Sequence, residues 1–546
     1  MEDFQSDDES ENLPFRRRKI PNENLTDRIM KLQYQRHRKH THLAKTHKLY
    51  QCVFPNLTIS DVDYPQVYGR KFSPDGRHLV SFSMDLKTLV IYKYNGAASA
   101  EHLLTKIKSD VNLINQESYC NYEKLRMVLF SAFFTKKFEI TLVKDRGGLN
   151  RECSVFSTDS RYVIVCHHCT HSQMYATQCF RENFYQNNET LAPSSRTPVG
   201  EYNFEVVDLY TGTKTFSLQF DSERIPIAHQ QGIYLYRNKL GIICLQHQKI
   251  LLYHFENGIL TECDQIGVDT PIEHSNLEPF QSPYFGTTRQ AIFTFLAERG
   301  KMEAENSKDP FENMKMLGTS QCLSKMKLWR FQFLDEDKLF IKFIHEDVVS
   351  ARVVDNVMRF AVFSVYSISA RRILYMFDGA SSTLLKAFEE NCDDFRNAEL
   401  NGKEVLYPSS MACCIDSRMN YLRQKASTAT DERESNKRYL GQIPMPCQNF
   451  SYSPYLDAKL FSYDEQFISN FERPKPVSSA PLNFLSRPSL LKKFQIKTGP
   501  EPDQSPANEK KLVAFNFHPF EPFAMSLQRC GVHFVLNFHI RHNSVK

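Results

Sequence analysis

Over residues 70–96 short apolar runs alternate with clusters of turn formers, in the order RKF, SPDGR, HLVSFS, MDLK, TLVIYKY, NG. Pro74 sets φ for a turn and Gly76 is free to take a positive φ, so the chain reverses before His78. Residues 79–83 then form a strand, a second reversal falls at 85–87, and 89–94 alternates well enough for another strand, which Asn95-Gly96 closes. The layout returns downstream. Residues 153–166 (CSVFSTDSRYVIVC) repeat strand, Asp-Ser turn and strand, and 204–220 pair around Thr211-Gly212. Residues 232–258 split into three strands at Arg237-Asn238 and His247-Gln248, and 326–343 turn at Asp335-Glu336-Asp337 and continue into 360–377. Residues 455–471 turn at Tyr463-Asp464-Glu465, and 512–540 at Pro519-Phe520-Glu521-Pro522.

Irregular four-stranded units repeated along one chain predict an all-β fold, a WD40-like β-propeller of about seven irregular blades, with an array of β-sandwiches as the alternative. The second unit would occupy 103–143. The chain has 546 residues, of which such a ring absorbs about 300 to 350 as one domain. The expected organisation is therefore a tail over 1–47 and the propeller over 48–546, with partly helical insertions near 170–201, 268–324 and 380–446. The last holds a helix-like run at 383–391 and another over 419–439, while the charged runs 301–309 and 428–437 are least able to bury apolar surface. Abundant aromatics, 42 Phe and 25 Tyr, suit a sheet-rich core, and the single Trp excludes a repeated Trp-Asp dipeptide. A strand within 48–59 should close the ring, with either 50–54 or 57–59 meeting 512–540, because an open sheet edge invites aggregation.

Charge changes the picture at the start of the chain. The first residues, MEDFQSDDESEN, are acidic and carry no apolar targeting run, and no later stretch approaches the roughly 20 apolar residues of a membrane helix. A soluble intracellular protein without a membrane partner is expected. Residues 15–48 then carry eleven Lys or Arg against Glu23 and Asp27. Arg16, Arg17, Arg18 and Lys19 fit a nuclear import signal, a nucleic-acid contact or a solvated basic tail. Within this stretch Asn24 can cap a helix over about 24–36, with Leu25, Ile29 and Leu32 at i, i+4 and i+7. The apolar stripe needs a cover, either another protein's groove or the chain's own ring.

The chemistry-bearing motifs are few. There is no Gly-x-Ser-x-Gly elbow, phosphate-binding Gly-rich loop or His-Glu-x-x-His, so no enzyme and no cofactor are expected. Cys166-His167-His168-Cys169, with His171 behind, offers two thiolates. Zinc wants four ligands and no second pair is spaced for it, so no metal is expected. His345-Glu346-Asp347 falls where a solvated turn belongs. The 14 Cys are scattered through strands, as reduced core residues are.

Several phrases resemble, in order, those of the de-etiolated-1 family: RKFSPDGRHLVSFS, LNRECSVFSTDSRYVIV, LDEDKLFIKFIHEDVVSARV, LGQIPMPCQNFSYSPYLDAKLFSYDEQFISNFERPK and LVAFNFHPFEPFAMSLQR. The resemblance runs from about Asn24 to His542. It implies a nuclear, and also cytoplasmic, non-catalytic subunit of a cullin-4 RING ubiquitin ligase, docked on the damaged-DNA-binding adaptor and its small associated protein. It further implies work with the constitutively photomorphogenic RING ligase and a ubiquitin-conjugating enzyme to turn over transcription regulators. The family's Asn-x-x-x-Arg-aliphatic start matches Asn24, Arg28 and Ile29, which makes Leu25, Arg28, Ile29 and Leu32 the expected adaptor contacts. The rival expectation is a propeller that binds chromatin or histone tails and represses transcription without a ligase role.

Overall fold

The computed structural model describes residues 53–104, 116–144, 146–171, 191, 199–227, 231–267, 326–345, 361–390, 395, 397, 399–401, 404–406, 432–441, 443–444, 455, 461–462, 482–486, 490–496, 510–519, 521–530 and 533–541. Its first strand, β1 (Leu57–Val62), is followed by a sheet of β2 (Val67–Phe72), β3 (His78–Ser83), β4 (Thr88–Tyr94) and β5 (Phe134–Thr141). The second sheet orders β10 (Lys214–Glu223), β9 (Gly200–Asp208) and β8 (Tyr162–Thr170), with β6 (Gly148–Leu149) and β7 (Val155–Phe156) both on β8. The third runs β11 (Ile233–Tyr236), β12 (Lys239–Cys244), β13 (Lys249–Glu256), β14 (Ile259–Ile266), and the fourth β15 (Met326–Phe333), β16 (Lys338–His345), β17 (Ala361–Ser367), β18 (Arg372–Asp378). A hairpin of β19 (Glu399–Asn401) and β20 (Glu404–Leu406) precedes a three-stranded sheet of β21 (Phe461–Ser462), β22 (Leu482–Ser486) and β23 (Lys492–Ile496). The last sheet orders β24 (Lys510–Phe517), β25 (Ala524–Cys530) and β26 (His533–Ile540), and β1 adds to its edge. The molecule is thus mostly β, built of antiparallel sheets.

One turn recurs and explains why the strands begin where they do. In SPDGRH, SMDLKT and STDSRY the aspartates Asp75, Asp85 and Asp159 accept the backbone N–H two residues on, each at 3.1 Å. The serines Ser73, Ser83 and Ser157 accept the N–H five residues on, from His78, Thr88 and Tyr162, at 3.0, 2.9 and 2.9 Å. Each side chain replaces a ladder partner that the reversing backbone has lost. The residue after each Asp is left-handed: Gly76, Leu86 and Ser160 have φ of 70°, 58° and 58°.

The expected closure forms at 57–62, where β1 pairs antiparallel with β26, Leu57 opposite Ile540 and Ile59 opposite Phe538; residues 50–52 of the other expected strand lie outside the described residues. Asn56 N–H donates to the Ile540 carbonyl at 3.0 Å, and the ring of His539 joins Thr58 Oγ1 (3.0 Å) to Ser526 Oγ (2.9 Å). Just upstream Phe54 stacks on Phe494 of β23.

The separate second unit expected over 103–143 is not formed. Residues Gln116–Phe133 are a helix, α1, that passes without a break into β5, the fourth strand of the first sheet. Leu125, Leu129 and Phe133 recur at i, i+4 and i+8 and are buried, which fixes the helical period there. α1 seals the first sheet to the last: Phe133 stacks on Phe523 (4.9 Å) and meets Phe538 edge-on, while Arg126 Nε donates to the Asp61 carbonyl at 2.6 Å. Each buried Phe here contributes on the order of 2 kcal/mol.

In the insertion near 380–446, helices α2 (Ser382–Glu390) and α3 (Glu432–Leu440) are formed, the second partly within the charged run 428–437. They bury Leu384, Phe388, Tyr439 and Leu440 in one cluster with Phe340, Phe363 and Phe395. Residues 268–324, nearly all of 170–201 between β8 and β9, and the turn at 463–465 lie outside the described residues.

Between the first and last sheets His518 is buried as the neutral tautomer. Its Nε2–H donates to the Gly76 carbonyl at 3.0 Å, and its Nδ1 accepts from the Glu521 N–H at 2.8 Å. Glu521 in turn accepts from the Tyr94 hydroxyl (2.7 Å) and the Ala97 N–H (3.1 Å). Burial pushes His518 down to about 4 from its ordinary 6.5, although Glu521 and the Gly76 carbonyl oppose the shift. The unfolded chain therefore binds a proton below pH 6.5 that the fold refuses until about 4, so stability falls as the pH drops through that window. The loss should approach roughly 3 kcal/mol near pH 4. Urea unfolding between pH 7 and 4 should show this slope in the wild type and a flatter one in His518→Gln, whose amide can donate and accept without titrating; equal slopes would contradict the assignment.

Candidate functional site

The residues expected to contact an adaptor, Leu25, Arg28, Ile29 and Leu32, and those of the import signal, Arg16, Arg17, Arg18 and Lys19, lie outside the described residues. Within them, β8 disposes of the Cys-x-x-Cys motif. Successive side chains of a strand point to opposite faces, so Cys166 and Cys169, three apart, project to opposite sides. Cys166 is fully buried among Ile164, Phe204 and Val206, and burial pushes its thiol well above the ordinary range. His345 closes β16, and Glu346 and Asp347 lie outside the described residues.

Two buried carboxylates meet histidines. Glu205 of β9 accepts from His167 Nε2 at 3.4 Å and pairs with Lys214 Nζ at 3.2 Å. Burial works to raise its pKa, but the bonds from His167 and Lys214 and the lysine charge outweigh it and hold the carboxyl below the usual range. Glu223 accepts the Arg224 and Gln246 N–H groups at 3.1 and 2.8 Å and bonds His247 Nδ1. Both carboxylates tie neighbouring strands or turns together.

A concave feature sits at the seam. A cleft of about 400 Å³, open mouth included, separates β2 and β3 from β24, β25 and β26. Val67, Leu79, Phe130, Phe515, Met525, Leu527 and Leu536 make it apolar. Tyr64 is at its edge, its phenol pushed up to about 12 by burial, and the buried Ser81 hydroxyl has no hydrogen-bond partner. Gly69 admits Asn516, whose amide donates to the Gly69 carbonyl at 3.1 Å; a Cβ there would stand 3.3 Å from that nitrogen. The lining is therefore mostly apolar, with polar groups only at Tyr64, Ser81 and Asn516. Beside it α1 turns Met127 (66 % exposed) and Val128 (43 %) outward.

A second feature escaped the sequence reading. Arg330 of β15 and Lys342 of β16 are direct cross-strand partners. Lys342 is buried, its Nζ 3.3 Å from the Gly441 carbonyl just past α3 and 5.1 Å from the centre of the Phe363 ring, while the Arg330 Nε has no partner. Among the described residues neither cation forms an ion pair. Burial, then the Arg330 charge, push the Lys342 ammonium down to about 7. The lysine interrupting LFIKFIH was a visible signal; the register that sets it against Arg330 was not.

Residues 151–542 match the family described as De-etiolated protein 1 Det1. The light-mediated development protein DET1 of Solanum lycopersicum is 25 % identical over 93 % of this chain and 96 % of its own length. That of Arabidopsis thaliana is 24 % identical over the same shares. Among solved structures, U3-55K covers 89 % of this chain and 100 % of its own at a TM-score of 0.27 and 7 % identity, a likeness too slight to carry an argument.

The buried cation pair generates a test of its own. Between pH 7 and the ordinary lysine value of 10.5 the unfolded chain holds a proton on residue 342 that the fold sheds, so stability should rise with pH across that window. Lys342→Met should remove this rise and stabilise the protein by about 1 to 3 kcal/mol at pH 7. Denaturant melts of both proteins at pH 7 and 9.5 check it; a destabilised, pH-insensitive pair of curves would mean that Lys342 is compensated.

Proposed function

Because the chain belongs to the De-etiolated protein 1 family, we propose that it is a non-catalytic scaffold and substrate-receptor subunit of a cullin-4 RING ubiquitin ligase, promoting degradation of transcription regulators in the nucleus. The family match over 151–542 is the observation that carries this reading. The light-mediated development role in the relatives' names enters here as the coarse setting, control of a developmental programme.

The architecture supports a β-propeller platform of about seven irregular blades. Strands in equivalent places of successive sheets lie against each other, β2 against β24, β11 against β15 and β10 against β14, as radial packing requires. The pairing of β1 with β26 is the way a ring of sheets joins its two ends. Such a body offers a rigid surface, and its apolar cleft suits a partner's side chain. The damaged-DNA-binding adaptor would take the helix over 24–36 through Leu25, Ile29 and Leu32, with Arg28 as a polar contact. Its small associated protein, the constitutively photomorphogenic RING ligase and a ubiquitin-conjugating enzyme would gather on the same assembly. Holding substrate and charged enzyme together raises effective concentration, so ubiquitin transfer accelerates without a catalytic group on this chain.

The test is capture of the purified adaptor by the full chain at low and high salt. Wild type should bind and resist salt, as an apolar helix-in-groove contact does, and Leu25→Asp/Ile29→Asp should weaken binding by at least about 100-fold, two buried anchors being worth about 2 kcal/mol or more each. Binding that survives the substitutions would move the contact onto the sheets. No adaptor binding, with retention of histone tails or DNA that falls steeply with salt, would favour the chromatin reading.

A further inference from the structure

At the edge where the first sheet meets the second, the β9–β10 turn lays Tyr210, 41 % exposed, over the start of β3. Its ring stands edge-on to His78, centroids 5.3 Å apart. His78 is 3 % exposed, and its Nδ1 is buried with no hydrogen-bond partner. Three cations gather around this pair. Arg77 Nη1 donates to the Tyr210 hydroxyl at 3.4 Å, and Lys137 Nζ lies 5.2 Å from the centre of the Tyr210 ring while donating to the Leu209 carbonyl at 3.3 Å. Lys93, exposed, is the cross-strand partner of His78.

The nearby carboxylates are engaged by the fold. Asp75 accepts from Ser73 Oγ and the Arg77 N–H within its own turn and stands 3.7 Å from Arg77 Nε. Asp208 holds Arg161 at 2.9 Å and accepts the Tyr210 and Thr211 N–H groups. Positive potential therefore exceeds negative around an orphaned imidazole nitrogen. Burial, followed by Lys137, Arg77 and Lys93 against the pull of Asp75, holds His78 below its ordinary range, which agrees with that balance.

We infer that Arg77, His78, Lys93, Lys137 and Tyr210 form a binding site for the oxyanion side chains of an acidic peptide, carboxylate or phosphate. Arg77 and Lys137 supply charge-assisted hydrogen bonds, Tyr210 is the wall between them, and the His78 nitrogen waits beneath. Asp75, held 3.7 Å from Arg77, leaves room for one anionic side chain at a time and repels a continuous phosphate backbone, so the partner is a peptide rather than a nucleic acid.

The experiment uses the full chain with Arg16, Arg17, Arg18 and Lys19 replaced by Ala, so that the basic tail does not capture the probe. Fluorescence anisotropy follows short labelled glycine-serine peptides carrying glutamates or phosphoserines, and a single-stranded DNA. Arg77→Ala/Lys137→Ala should weaken peptide binding about tenfold or more, since both charge-assisted hydrogen bonds are lost. Tyr210→Ala should weaken it severalfold, and Lys136→Ala, at an exposed lysine paired with Glu139, should leave it unchanged. The preferred peptide tells carboxylate from phosphate as the natural chemistry. Peptide affinity equal in all variants, no peptide binding, or binding of DNA alone would overturn the assignment.

Discussion

A chain of sheets laid side by side has two free ends, and each leaves a row of backbone donors and acceptors that no neighbour satisfies. Here β1, first in sequence, supplies the outer strand of the sheet whose other strands come last, so the two ends of the described chain satisfy each other. The remainder of the seam follows from that pairing. It sets β24 beside β2, and it brings His518 and Glu521 within reach of Gly76, Tyr94 and Ala97. α1 is then needed to cover the aromatic faces left between the two sheets, which it does with Phe130 and Phe133 against Phe134, Phe523 and Phe538. Hydrogen bonds fix the register of the closure, and the aromatic contacts supply most of its burial.

Much of this was legible because turn chemistry is local. Ser-x-Asp-x-basic names both acceptors of the reversal, and Arg237-Asn238 and His247-Gln248 fall where β11, β12 and β13 change direction. The stretch LRMVLFSAFFTKKFEITLV was not legible in the same way. It has no Gly or Pro to separate helix from strand, and its apolar density satisfies a period of 3.6 up to Phe133 and of 2 beyond it. Only the packing of Leu125, Leu129 and Phe133 decides where one ends. The cleft was invisible for a different reason. Its lining comes from strands at opposite ends of the chain, so no window of sequence contains it.

Charge is handled by two opposite means. On the second sheet buried Glu205 and Glu223 are surrounded by donors, and for Glu205 the donors overcome the cost of burial. On the fourth sheet Lys342 meets, among the described residues, a carbonyl and the face of an aromatic ring, beside a second cation. The first arrangement fixes strand order at little net cost, whereas the second withdraws stability from the sheet that carries it. A fold that retains the second carries a polar element which its own packing does not require.

The cleft and the closure share residues, so occupancy of the one would be coupled to formation of the other. Met525, Leu527 and Leu536 line the cleft and belong to the sheet that β1 completes, while Phe130 belongs to the helix that seals it. A side chain seated there contacts both ends of the chain at once, and separation of β1 from β26 would dismantle its pocket. Such a ligand binds the closed molecule and not the opened one, so it must stabilise closure by an amount set by its concentration relative to its dissociation constant. The dependence would be reciprocal: weakening the His539 bonds to Thr58 and Ser526, the latter set between the lining residues Met525 and Leu527, would lower the affinity of such a ligand by lowering the fraction of closed molecules.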